Sequence, residues 1–106
     1  MAPSYDLRLY VTGMTQRSIE AMSNIRQICE EHLPGRHTLE IVDMYENAAR
    51  ASEDQIVASP TLIKMAPAPV RRFVGNLSDR KRVLIGLELP FEETMDDAQI
   101  KTSDSD

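Results

Sequence analysis

The 106-residue sequence has one cysteine and no tryptophan, and aromatic residues make up only 5% of it. Cys29 cannot form a disulfide within the chain, and one Cys with two His offers no metal-ligand pattern. No apolar run is long enough to cross a bilayer, and the first residues lack the charged-then-apolar layout of a signal peptide. We therefore expect a cytoplasmic protein with no metal, no other cofactor and no membrane contact, built around one aliphatic core.

Glycine is also scarce, and the chain has no excess of basic residues, with 12 Lys and Arg against 17 Asp and Glu. The four glycines lie far apart, at 13, 35, 75 and 86, which excludes a glycine-rich phosphate loop. Residues 1–87 carry eleven basic and ten acidic side chains, whereas residues 88–106 carry one basic and seven acidic. A nucleic-acid-binding domain would be net basic, so a nucleic-acid partner is not expected. The composition predicts one domain over 1–90 and an acidic, disordered tail over 91–106.

The hydrophobic pattern predicts alternating strands and helices. Apolar and polar residues alternate over 5–11, as in a strand. Apolar residues recur at helical spacing over 16–32, and Thr15 is the expected N-cap of this helix. The long connection permits parallel pairing of the first two strands with a right-handed crossover. In order, we predict a strand over 5–11, a helix over 16–32, a strand over 38–43, a helix over 47–56, strands over 62–65 and 70–74, and a helix over 79–87 capped by Ser78.

The segment 83–89 fits two structures. Val83, Leu84 and Leu87 would share a helix face, yet every second residue from Val83 to Leu89 is apolar, as in a strand. Gly86 weakens the helix, because Gly costs about 1 kcal/mol relative to Ala inside one. We therefore expect Gly86→Ala to favour the helical form of this segment.

The order of elements resembles a thioredoxin-like fold, α/β with the order βαβαββα. In that fold a cis-proline precedes the third strand, and Ser59-Pro60-Thr61 occupies the matching place. The redox site would then fall in residues 12–18, which contain no cysteine. Disulfide exchange needs a thiolate nucleophile, so we expect no oxidoreductase activity and no catalytic residue. Cys29 is interpreted as a core residue, and His32 and His37 as solvated loop residues rather than catalytic bases.

Basic residues are concentrated in one part of the chain, and three interpretations remain open. They could be solvated positions on a strand and a helix, a patch that faces an acidic protein surface or phosphate groups, or a surface covered by the acidic tail. The five residues are Arg71, Arg72, Arg80, Lys81 and Arg82.

Several motifs together carry a resemblance to a known family. They are Leu9-Tyr10-Val11-Thr12-Gly13, Ile41-Val42-Asp43, Ala58-Ser59-Pro60-Thr61-Leu62, Pro67-Ala68-Pro69-Val70-Arg71-Arg72, Gly75-Asn76-Leu77-Ser78-Asp79-Arg80 and Val83-Leu84-Ile85-Gly86-Leu87. On these motifs the chain resembles the KaiB family of circadian clock proteins over residues 5–90. It resembles a variant outside the standard cyanobacterial clock, which contains KaiA, because Glu40 stands where a Lys is common. Met14-Thr15-Gln16 also departs from the usual Asn-Thr-Pro.

The resemblance implies a protein that switches between two folds. The partner-bound monomer would be thioredoxin-like, and the resting form, a dimer or tetramer, would have the order βαββααβ with the same first strand, helix and strand. Such bistability needs two packings within a few kcal/mol of each other. The residues implied in the switch are Pro60, Pro67, Pro69, Gly86 and Glu88. Slow isomerisation of the three X-Pro bonds is expected to set part of the switching rate.

The resemblance also implies partners and their binding residues. The thioredoxin-like form would bind the ATPase ring of a KaiC-like protein, in competition with the sensor domain of a histidine kinase, and would modulate the phosphorylation cycle of that ATPase. Glu40 stands where a Lys is common, and this charge reversal argues against capture of KaiA. The alternatives are a thioredoxin-like sensor, a stress-signalling adaptor without a timing role, or an enzyme on the same scaffold. The partner-binding residues implied are Asn47, Arg50, Ala51, Glu53, Asp54 and Gln55 after the second strand, with Thr38 and Glu40 on that strand.

Overall fold

A computed structural model describes residues 4–89, which form a four-stranded sheet with helices on both faces. The predicted acidic tail, 91–106, lies outside the described residues. The element order is that of the thioredoxin-like form, βαβαββα, as predicted. The elements are β1 (Tyr5–Val11), α1 (Gln16–His32), β2 (His37–Asp43), α2 (Ala48–Glu53), β3 (Thr61–Ala66), β4 (Arg71–Val74) and α3 (Arg80–Gly86).

Strand β1 lies inside the sheet, whose order is β2-β1-β3-β4. It pairs in parallel with β2, from Tyr5 opposite His37 to Val11 opposite Asp43, and antiparallel with β3. Strand β4 forms a hairpin with β3, and residues 67–70 connect the two strands. The peptide bonds before Pro60, Pro67 and Pro69 are cis.

Two apolar clusters fill the two faces of the sheet. The larger contains the odd-numbered β1 side chains and the buried faces of α1 and α3. The smaller lies on the opposite face, where Tyr10, Val42 and Ile63 pack against Ala51 of α2. Because successive strand residues point to opposite faces, Arg8 and Tyr10 of β1 lie beneath α2, and so do Thr38 and Glu40 of β2.

Helix α1 and its ends agree with the sequence pattern. Thr15 is the N-cap and accepts a hydrogen bond from the Ser18 amide. Cys29 lies in the core as predicted, and burial raises the pKa of its thiol to about 11. The two histidines are half-buried rather than solvated, and a 2.7 Å contact joins His37 Nδ1 to the Leu33 carbonyl oxygen.

Helix α2 is shorter than the predicted 47–56, because the chain turns out of it at Gln55. The Gln55 amide donates to the Ser52 carbonyl at 3.0 Å, and the Ile56 amide donates to the Ala51 carbonyl at 2.9 Å. These two bonds form a Schellman motif, which places Gln55 in the left-handed region with φ 57°. Glycine usually takes this position, so α2 ends on a residue that adopts it at a cost.

Helix α3 begins at Arg80, one residue later than predicted. Ser78 is not the N-cap, and its hydroxyl instead donates to Asn76 Oδ1 within the preceding turn. Asp79 is the cap, and its carboxylate accepts from the Arg82 amide at 3.3 Å. The carboxyl end of α3 is also a Schellman motif. The Glu88 amide donates to the Ile85 carbonyl, the Leu89 amide donates to the Leu84 carbonyl, and Glu88 has φ 63°.

The expectation that Gly86→Ala favours this helix is wrong for the structure described. A Cβ at position 86 would lie 2.3 Å from Cε1 of the Phe73 ring, far inside van der Waals contact. Phe73 is half-buried and packs against the larger core, so its ring or the helix would have to shift to admit the Cβ. Glycine at this position is required by close packing, a constraint that helix propensity does not contain.

We predict that Gly86→Ala lowers the free energy of unfolding by about 1–2 kcal/mol, because overpacking outweighs the gain in helix propensity. The same substitution made together with Phe73→Leu should be close to neutral, since the smaller side chain leaves room for the Cβ. Urea unfolding of the original chain, the two single variants and the double variant gives the coupling free energy between positions 73 and 86. Equal effects of Gly86→Ala with Phe73 and with Leu at position 73 would show that the contact has no energetic role.

We predict that Glu88→Gly raises the free energy of unfolding by about 0.5–1 kcal/mol, because glycine adopts the left-handed conformation without a steric cost. Glu88→Gln is the matched control. It keeps the backbone cost and removes only the exposed contact with Arg71 at 3.9 Å, so it should change stability by less than about 0.5 kcal/mol. Thermal and urea unfolding give the free energy of unfolding of both variants. If Glu88→Gly is no more stable than Glu88→Gln, the left-handed conformation at position 88 has no measurable cost.

Candidate functional site

Charged side chains from β1, β2 and α2 form one network on the α2 face of the sheet. Glu40 accepts two hydrogen bonds from the Arg50 guanidinium, at 2.6 Å from Nη1 and 2.8 Å from Nη2. Arg8 lies next to Glu40 across the strand pair and donates from Nε at 3.2 Å. The Arg8 Nη1 atom also contacts Asp54 Oδ2 at 2.9 Å. Two arginines and two carboxylates therefore connect β2 to α2 through the central strand.

Tyr10 anchors this network to the protein interior. Its ring belongs to the smaller core, and its hydroxyl donates to the Asp54 carboxylate and lies 3.4 Å from the Arg50 carbonyl oxygen. Asp54 is the C-cap residue of α2, so these bonds hold the carboxyl end of the helix on the sheet. The position of α2 is thus determined by polar contacts as well as by Ala51.

The electrostatics of the network follow from these contacts. The hydrogen bonds from Arg50, with the charges of Arg50 and Arg8, lower the pKa of Glu40 to about 2. The Tyr10 hydroxyl and Arg8 lower the pKa of Asp54. Burial raises the pKa of Tyr10, and the neighbouring Asp54 raises it further. Both carboxylates are therefore ionised over the whole neutral range.

The structure brings together most of the predicted partner-binding residues, with different exposure. Glu53 and Gln55 are exposed, as is Thr38, which shares the α2 face of β2. Asn47 is half-buried and donates its side-chain amide to the Asp43 carbonyl. Ala51 is 5% exposed and packs into the smaller core, so its side chain is not part of the accessible surface.

Four residues of this surface were missed by sequence reasoning. Arg8 and Tyr10 were interpreted only as strand residues. An Arg within an otherwise apolar strand needs an acidic or polar partner, and this signal could have indicated the network. Tyr45 and Val57 flank α2 and are 77% and 94% exposed. Asp43 Oδ1 accepts from the Tyr45 amide at 2.9 Å, which fixes the backbone that presents this ring.

The five predicted basic residues are not gathered on one face. Arg71 and Arg72 are neighbours in β4 and point to opposite sides of the sheet. Arg72 Nη1 contacts the Gln55 carbonyl oxygen on the α2 side at 3.4 Å. Arg80 forms an ion pair with Glu31 of α1, while Lys81 and Arg82 are exposed on α3. A partner-facing role for these residues stays a prediction.

The place of a thioredoxin redox site is a polar cleft of about 380 Å³. It lies between the loop after β1 and Pro60, where the hydroxyl oxygens of Thr12 and Ser59 are 3.3 Å apart. Ser18 and Thr15 complete the hydroxyl cluster, with a 3.0 Å hydrogen bond between them. The cleft contains no sulfur atom that could attack a disulfide, and Cys29 is buried in α1.

The described residues also lack two other kinds of feature. Residues 4–89 contain no group of three or more His, Cys, Asp or Glu side chains that could hold a metal ion. In the same part of the chain, no helix is long and apolar enough to cross a membrane.

Comparison with solved structures defines the class of protein. The fold matches the N-terminal domain of SasA from Synechococcus elongatus with a TM-score of 0.67, at 14% identity, over 97% of this chain and 92% of that one. It matches the thioredoxin Deadhead from Drosophila melanogaster with the same TM-score, at 9% identity, over 80% and 79% of the two chains. The protein therefore has a thioredoxin-like fold without a thiol pair in the redox position.

Sequence comparison then gives the family. The family model described as the KaiB domain matches residues 8–89. The circadian clock oscillator protein KaiB of Synechococcus sp. (strain RCC307) is 46% identical over 101 residues, which cover 95% of this chain and 92% of that protein. The KaiB of Parasynechococcus marenigrum is 47% identical over 95 residues, which cover 90% of this chain and 91% of that protein. The chain belongs to the KaiB family, as its motifs predicted.

The lowered pKa of Glu40 predicts how stability depends on pH. Its unfolded value is 4.5 and its folded value is about 2, so the unfolded chain binds more protons between these values. The contribution is present above pH about 4.5 and is lost as pH falls toward 2. We expect the free energy of unfolding of Glu40→Gln to fall less steeply over this window than that of the original chain.

Glu20→Gln is the matched control for this measurement. It removes the same charge from the exposed side of α1, where the Glu20 carboxylate accepts a hydrogen bond from Gln16. Urea unfolding at several pH values between 2 and 6 should show the original slope in this variant. An equally steep slope in Glu40→Gln would contradict the assignment of the ion pair.

Proposed function

We propose that this protein is a non-enzymatic regulator in a Kai-type timing system, which binds the ATPase ring of a KaiC-like protein through the surface around α2. The observation that carries the proposal is the KaiB family model, which matches from Arg8 through Leu89 and so includes nearly all of the described fold. Relatives that are 46% and 47% identical over most of their length are circadian clock oscillator proteins. A role in binding rather than catalysis is also consistent with the absence of a cysteine from the position of the thioredoxin redox site.

The surface around α2 has the properties of a docking site. Tyr45 and Val57 are exposed at its two ends. Tyrosine is one of the residues most often found at interface hot spots, and Val57 adds apolar area that a partner could bury. The ion-pair network below holds α2 in place, so little ordering is required on binding. Glu53 and Gln55, between these anchors in the chain, are also exposed.

We further propose that this fold is one of two that the chain adopts. Helices α2 and α3 both end on a non-glycine residue in the left-handed conformation, Gln55 and Glu88, at a cost of roughly 1–2 kcal/mol each. Such costs lie in the second half, which the family resemblance implies will rearrange in a resting dimer or tetramer. They support a small free-energy difference between two packings.

The partners follow from the same proposal. A histidine kinase with a sensor domain of similar fold would compete for the ATPase ring. Capture of KaiA is not part of the proposal, because Glu40 reverses the charge that is common at this position and is itself bound to Arg50 and Arg8. A cytoplasmic location is the natural setting for such partners.

We predict that Tyr45→Ala weakens binding to the cognate KaiC-like ATPase about tenfold or more, because it removes an exposed aromatic anchor. Val57→Ala should weaken it about three- to tenfold, because it removes less apolar area. Size-exclusion chromatography and a binding titration, with ATP and without, measure this effect. Ile19→Ala is the matched control, since Ile19 is a partly exposed aliphatic residue on α1, across the sheet. Its affinity should be unchanged.

Two outcomes would contradict the proposal. Absence of any complex between the original chain and the ATPase in every nucleotide state would favour a sensor or stress-signalling adaptor without a timing role. A complex that tolerates both alanine variants would move the docking surface away from α2. Far-UV circular dichroism of each variant verifies that its fold is intact.

A further inference from the structure

Three guanidinium groups lie on the α2 side of the sheet, and each is held by acceptors of the same chain. Arg50 is bound by Glu40, and Arg8 lies between Glu40 and Asp54. Arg72 contacts the carbonyl oxygen of Gln55, at the carboxyl end of α2. Arg8 and Arg50 are therefore paired with carboxylates of the same chain. Arg72 is exposed and keeps its charge beside a neutral carbonyl.

Glu40 is the residue that engages Arg50. Within residues 4–89, Glu40 is the only carboxylate at ion-pair distance from Arg50, which it contacts with both oxygens. Bidentate contacts between arginine and carboxylate combine charge with fixed geometry. Glu40 is held in turn by Arg8, so it is oriented before any partner arrives.

The negative charges next to α2 are not balanced in the same way. Glu46 precedes the helix and Glu53 is its last residue, and both side chains are exposed. Neither forms an ion pair with another residue of the part of the chain that the structure describes. With Arg50 neutralised, the outer side of α2 presents carboxylates beside the apolar anchors Tyr45 and Val57.

We infer that Glu40 is a specificity-determining residue of the docking surface: by binding Arg50 it leaves the surface acidic, so that it fits a basic surface on the partner. This inference rests on the proposed function, and it predicts that the face of the ATPase that meets α2 is basic. Charge complementarity governs which partner is accepted and how fast it associates, and a like charge facing the partner is penalised.

Substitutions of Glu40 and Arg50 are expected to change the affinity for the ATPase in opposite directions. Glu40→Gln leaves the charge of Arg50 uncompensated and should weaken binding about two- to fivefold. Arg50→Gln removes that cation and should leave affinity unchanged or raise it by a similar factor. Glu46→Gln and Glu53→Gln should each weaken binding by about the same factor, without disturbing the network. Glu20→Gln, on α1 across the sheet, is the control for net charge and should leave affinity unchanged.

The measurement is a titration of the cognate ATPase at low and at high salt, where screening should shrink all of these differences. Weaker binding of Glu40→Gln together with unimpaired binding of Arg50→Gln supports the inference. The opposite pair of signs, or equal affinity of all variants including Glu46→Gln and Glu53→Gln, would overturn it while the original chain still binds. A chain that binds the ATPase in no condition overturns the proposed function itself, and the inference with it.

Discussion

The contact of Arg8 with both Glu40 and Asp54 is the interaction on which the surface around α2 depends. A six-residue helix has little stability of its own, since helices much shorter than about twelve residues are marginal in water. Only Ala51 is buried among its residues. Helix α2 therefore relies on polar contacts that Arg8 and Tyr10 provide from the central strand, and these contacts determine where Glu53, Gln55 and the flanking anchors lie.

The same polar anchoring makes the position of α2 sensitive to single charges. A large apolar interface would make the position of α2 insensitive to a single charge, whereas a network of two arginines and two carboxylates changes with one substitution. Helix α3 is packed more tightly, because Val83 and Leu84 lie in the larger core. Its end at Glu88 nevertheless carries a backbone cost like that of α2 at Gln55. In the part of the chain proposed to switch, the core packing of α3 thus stabilises the fold while the backbone conformation at Glu88 destabilises it.

Sequence patterns predicted the elements well where hydrophobic periodicity is strong. Strand β1, helix α1 and the Thr15 cap are as expected, because each depends on residues close in the chain. The errors fall where the outcome depends on contacts across the molecule. Gly86 was interpreted from helix propensity, yet the ring of Phe73 decides what position 86 can hold. Ser78 was expected to cap α3, but its hydroxyl is hydrogen-bonded to Asn76, and Asp79 caps the helix.

By itself, the sequence determined the order of elements, the absence of a thiol in the redox position, the family and the acidic composition of the tail. These properties depend on residue identity and on local periodicity. Only the tertiary structure decided that Arg8 joins Glu40 to Asp54, that Ala51 is buried, that Tyr45 and Val57 are exposed, and that Arg71 and Arg72 face opposite sides of the sheet. The reason is that such relations arise between residues up to 46 positions apart, through strand pairing and layer packing that no local pattern encodes.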